Sequence, residues 1–217
     1  MQSDWAADNI QVIRTLMERS AVYRRALAPI MILSGAVGTA ASIAGISLKI
    51  DDPRTFEIYW LAVGLCVLGG VYFLARRQAL KDAEPFWSPP TRRVTQALLP
   101  AFTAGFIASV VVLIHFTGDS SKLLSEPLKP VAVMLWLPIV WVVLYGCGLH
   151  AAGFFMQRGI KLFGWAFVIG GCVVFVAGIP DAPRGTYAHA VMGFFFGFLH
   201  LAYGVYLYFS EKRKNAA

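Results

Sequence analysis

Charged residues make up only 14% of this chain, against about a quarter in an ordinary soluble domain, and none lies in the interior of six long apolar runs. That absence excludes acid and base chains of the kind that carry ions or protons across a bilayer. Cysteine is equally scarce. Cys66, Cys147 and Cys172 all fall inside apolar runs, without metal-ligand spacing and without the exposed placement of a secreted disulfide framework. A cleavable leader is not expected either. The first two dozen residues are polar and mixed, with Asp4, Asp8, Arg14 and Glu18, where a signal peptide would run from a short basic segment straight into an apolar one. The chain also lacks a phosphate-binding Gly-Lys-Ser/Thr loop, a zincin helix and an Asp-rich metal motif. No connection is long enough for a soluble catalytic domain, so the expectation is a non-enzyme with no resident metal.

What remains is hydrophobic: 58% of the residues, which over this length argues for burial in a membrane rather than in one soluble core. A helix crossing the hydrocarbon needs about 20 apolar residues. Six stretches meet or approach that length: Ala26 to Leu48, Ile58 to Ala75, Val94 to Thr117, Val131 to Gly153, Leu162 to Ile179 and Tyr187 to Ser210. The fold class expected is therefore all-α, a polytopic bundle of six transmembrane helices over residues 26–210. An N-terminal segment (residues 1–25) precedes it and a basic tail (residues 211–217) follows. Reading the second span from Ile58 leaves Glu57 outside the membrane.

The placement of Lys and Arg orients such a bundle. Arg14, Arg19, Arg24, Arg25, Arg76, Arg77, Lys81, Arg92, Arg93, Arg158, Lys161, Lys212, Arg213 and Lys214 fall on one face. Lys49, Arg54, Lys122, Lys129 and Arg184 fall on the other. The richer face holds both termini and belongs in the cytoplasm, which predicts a multi-pass membrane protein with both termini inside. The net charge of +7 is then a topology determinant lying against anionic lipid, and no nucleic-acid partner is implied.

Residues 3 to 24 read as a helix. Ile10, Ile13, Leu16 and Met17 recur at helical spacing and form one apolar face. That face can lie in the interface, pack on the bundle or contact a protein partner. Between Arg76 and Arg93, Pro85, Pro89 and Pro90 interrupt any continuous helix, and Phe86 and Trp87 suit the headgroup level.

Inside the bundle the last span carries the most regular pattern. His189, Gly193, Gly197, His200 and Gly204 share one face at about 100° per residue. Gly193-x-x-x-Gly197 lets a neighbouring helix approach closely. His200, near mid-depth, is the one intramembrane ionisable group in this reading. It is either hydrogen-bonded in a packing groove or lines a path for a neutral or weakly charged solute. A second small-residue stripe, Ser34, Gly38 and Ser42 with Ala41 and Gly45 nearby, marks the first span. His115 and His189, both near the outer rim, are candidate axial ligands of a b-type haem. Cys147, in Gly146-Cys147-Gly148, lies too far along its helix from His200 for a nucleophile–base pair.

The segments Ile13–Ser20, Leu144–Gly146, Leu162–Trp165 and Gly197–Gly204 resemble those of a group of six-span bacterial integral membrane proteins with no assigned activity. The resemblance implies an inner-membrane bundle and carries over no catalytic residue. The function expected is that of an accessory subunit or sensor acting through a protein partner or a homo-oligomer. The alternatives are a small transporter with His200 in its path, and a haem-binding electron-transfer protein.

Overall fold

The structure, a computed structural model, describes residues 27–81, 83, 85–117, 130–156, 158–177 and 184–216. The amphipathic face of Ile10, Ile13, Leu16 and Met17 lies outside them. Every described element is helical. In chain order these are α1 (Leu27–Ser47), α2 (Pro53–Lys81), α3 (Pro89–Thr117), α4 (Pro130–Ala152), α5 (Arg158–Ala177), α6 (Arg184–Met192), a π-helical segment (Gly193–Leu199) and α7 (His200–Ala216). The last three run on as one rod. Among the described residues, five helical stretches are long and apolar enough to cross a membrane: α1, α2, the Thr91–Ile114 part of α3, the Gly159–Ala177 part of α5, and Gly185–Ser210 in the final rod. In α4 the apolar stretch Trp136–Ala152 is shorter.

Local chemistry sets the turn between α1 and α2. The backbone N–H of Ile50 donates to the carbonyl of Gly45, and that of Lys49 to the carbonyl of Ile46. This pair of bonds is a Schellman closure. It puts Lys49 at φ 51°, the left-handed position usually given to glycine. Three residues on, the Asp52 carboxylate accepts from both the backbone N–H and the hydroxyl of Thr55, each at 2.9 Å, so it caps α2. Pro53 fills the first helical position, where its missing N–H costs nothing. Cap and proline together start the helix at Pro53, five residues before the apolar run beginning at Ile58. Glu57 therefore lies within α2, one residue before that apolar run.

Sequential helices pack antiparallel. Gly146 abuts the carbonyl of Gly164, and Gly171 abuts Val142 and Val143, along the α4–α5 pair. Gly148 faces Ala101 and Leu98 across α3–α4. The rod formed by α6, the π segment and α7 lies against α1 in the opposite sense. Gly204 meets Ile32, Gly197 meets Thr39, Gly193 meets Ser42, and Gly45 meets the His189 ring. Three apolar clusters fill the interior. The largest joins Leu27, Met31, Phe163, Phe167, Phe195 and Leu207. A second, around Phe56, Trp60, Met134 and Met192, joins α1, α2, α4 and the last rod. The third is built on Val112 and Leu137.

Candidate functional site

The seam between α1 and the last rod is built from missing side chains. A Cβ at Gly197 would come within 2.8 Å of the Thr39 amide nitrogen, and one at Gly204 within 2.8 Å of the Ile32 nitrogen. On the other side, a Cβ at Gly35 would run into the backbone at Leu201 and one at Gly38 into the carbonyl of Phe196. The two backbones touch, as small-residue faces in membranes permit. Ser42 adds a hydrogen bond from its hydroxyl to the carbonyl of His189 at 2.8 Å. The tyrosine hydroxyl of Tyr59 ties α2 to the same face by donating to the carbonyl of Ala41 at 2.6 Å.

His200 departs from the face expected of it. Gly193, Gly197 and Gly204 meet α1, but the ring neighbours of His200 across the bundle are Tyr145 on α4 and Phe163 and Phe167 on α5. The intervening π segment closes its turns on the fifth residue rather than the fourth, so a constant 100° step does not carry through it. The ring is 2% exposed, and both of its nitrogens are engaged. Nδ1 lies 3.0 Å from the carbonyl of Phe195, five residues back. A carbonyl can only accept, so Nδ1 carries the hydrogen. Nε2 then accepts from the Tyr145 hydroxyl at 2.8 Å. The arrangement is complete with a neutral imidazole inside an aromatic box.

His189 is equally occupied. The Trp60 indole N–H donates to its Nδ1 at 3.1 Å, and its Nε2–H donates to the carbonyl of Ile50 at 3.2 Å. The Schellman turn is what brings that carbonyl into reach. Phe56 and Tyr59 flank the ring, with centroids 5.0 and 5.8 Å away. Of His115 only the backbone, in α3, is described. A haem on His189 would have to break the Trp60 bond to free a lone pair, and the glycine face that might have made room for a porphyrin is filled by α1. The described residues do not fit that cofactor. No group of three or more His, Cys, Asp or Glu able to hold a metal occurs among the described residues. The three cysteines are free and exposed.

Glu57 is the polar group that sequence reasoning missed. It is fully buried, and neither carboxyl oxygen completes a hydrogen bond. Its polar side-chain neighbour is Ser109 on α3. The Ser109 hydroxyl donates to the carbonyl of Gly105 at 3.0 Å and accepts from the Trp141 indole N–H at 3.1 Å. The carboxyl thus sits where α2, α3 and α4 converge. The available signal was the pair Asp52-Pro53, a cap and first-turn proline that together extend the helix back over Glu57. Among the described residues, three other buried polar atoms lack a partner: Thr39 Oγ1, His150 Nδ1 and the Tyr203 hydroxyl.

No protein-family model matches this chain, and no curated protein or solved structure matches it significantly.

Proposed function

We propose that this chain is a non-enzymatic, six-span protein of the bacterial inner membrane, an accessory subunit or sensor that acts by packing one of its helices against a helix of another chain. The sixth span in this reading is α4. Its 23 residues extend about 34 Å at 1.5 Å per residue, enough for a hydrocarbon core of about 30 Å. An even number of spans places both termini on the face rich in Lys and Arg, the cytoplasm.

The observation that carries the reading is the bare side of α2. The membrane-length stretch of α2 is 6% buried, against 39% for the first and last spans. Of the described glycines, only Gly64 and Gly69 have nothing within reach of an added Cβ. Elsewhere in the bundle every described glycine but Gly105, whose neighbours stand at ordinary contact distance, serves a close approach. Two glycines facing open space amid Leu65, Leu68, Tyr72 and Phe73, all exposed, suit the arrival of a further helix better than they suit lipid, which needs no gap. The other two readings draw no such support, since His200 and His189 would each have to give up hydrogen bonds that hold helices together.

The test uses the full chain in lipid nanodiscs. Gly64→Leu and Gly69→Leu are expected to leave the thermal unfolding midpoint unchanged while weakening self-association or co-purification of a specific partner at least tenfold. Gly197→Leu, which collides with Thr39, should destabilise the bundle itself. Unchanged association in both α2 variants would overturn the reading.

A further inference from the structure

An ionisable side chain buried within an apolar helical bundle is exceptional, and such groups commonly mark binding or transfer sites. Glu57 meets that description with no exposed atoms and two unpartnered oxygens. It lies four residues, about 6 Å, beyond the start of α2. A side chain with no exposed surface suits an occupant that needs no volume, and a proton is such an occupant.

We propose that Glu57 is a proton-binding site, with Ser109 as the acceptor that recognises its protonated form. The argument is one of donors and acceptors. A serine hydroxyl has one hydrogen and two lone pairs. The hydrogen of Ser109 is committed to the Gly105 carbonyl and one lone pair to the Trp141 indole. What it still offers is a lone pair. A carboxylic acid can donate to that lone pair; a carboxylate cannot. With the proton bound, Glu57 donates to Ser109 and links α2 to the α3–α4 pair. On release the carboxyl O–H bond breaks, its electron pair stays on the carboxylate and the proton passes to water at the α1–α2 end. Ser109 must then turn its hydrogen from Gly105 to the carboxylate, which disturbs the contact with Trp141. Proton occupancy is thereby coupled to the packing of three helices.

Among the described side chains, none offers Glu57 a counter-charge. At the start of α2, Asp51, Asp52 and Arg54 are exposed. Tyr59 is turned about 160° around α2 from Glu57 and is bonded to Ala41. On α6, His189 packs against Phe56, Tyr59 and Trp60 and is occupied at both nitrogens. On α1 the nearby polar groups are Ser42, spent on His189, and the exposed Lys49. From α3 the described polar neighbour of Glu57 is Ser109, and from α4 the indole of Trp141 reaches that serine.

Infrared difference spectroscopy of the full chain in lipid vesicles, titrated from acidic to alkaline pH, tests this. A carboxylic acid C=O band should bleach as pH rises. It should be missing from Glu57→Gln and move to higher frequency in Ser109→Ala, where the acid loses its acceptor. A band that survives Glu57→Gln, or one that does not change with pH, would overturn the proposal. Should Glu57→Gln fail to fold, Ser109→Ala decides, because an unshifted band there contradicts the assigned partner.

Discussion

His200 and Tyr145 hold the last rod to α4 through a bond that neither can replace locally. Removing the hydroxyl in Tyr145→Phe leaves His200 Nε2 buried without a donor. An unsatisfied buried group costs about 1–3 kcal/mol, and helix-bridging bonds in membranes fall at the low end of such values. The expected loss is therefore about 1 kcal/mol, measured as a lowered unfolding midpoint in mild detergent. At this scale the sequence was informative about which residues matter and less so about what they touch. His189 and His200 stand out because few polar residues interrupt the apolar runs. Their partners, the Ile50 carbonyl, the Trp60 indole and the Tyr145 hydroxyl, come from other helices, and no spacing along one helix encodes them. Glu57 escaped notice for a different reason. Hydropathy marks where apolar residues begin, whereas a helix begins at its cap, and Asp52 lies six residues upstream of Ile58.

Among the elements, the α1–α2 turn and the π segment carry the site geometry. The turn positions the carbonyl that accepts from His189, and it does so with a lysine in left-handed backbone. That conformation costs an L-residue about 1–2 kcal/mol, and glycine is free of it. Lys49→Gly should accordingly raise stability by about 1 kcal/mol, since the side chain is exposed and the Schellman bonds are untouched. Chemical or thermal unfolding monitored by far-UV circular dichroism checks the sign. The π segment explains the one face that constant periodicity predicted wrongly. Small residues at Gly193 and Gly197 keep the seam closed against α1, and past the wider turn His200 meets α4 and α5. The end of α1 at Ser47 fell one residue from that expected from hydropathy, because there the apolar run and the helix nearly coincide.

Across the whole molecule, the helices differ sharply in what they bury. The first and last spans form the tight interior pair, and α4 connects α3, α5 and the last rod. By contrast α2 touches the bundle through Phe56, Glu57 and Trp60 near its start and through few residues beyond. In the function proposed above, its two open glycines form the surface that would receive another chain. Photo-crosslinking in native membranes tests that account most directly, with p-benzoylphenylalanine in place of Leu65 on the exposed side of α2. The account predicts a discrete higher-mass adduct, to a second copy or to one other polypeptide, that disappears when Gly64→Leu is combined with the probe. A probe at position 65 that reacts with lipid alone would contradict it.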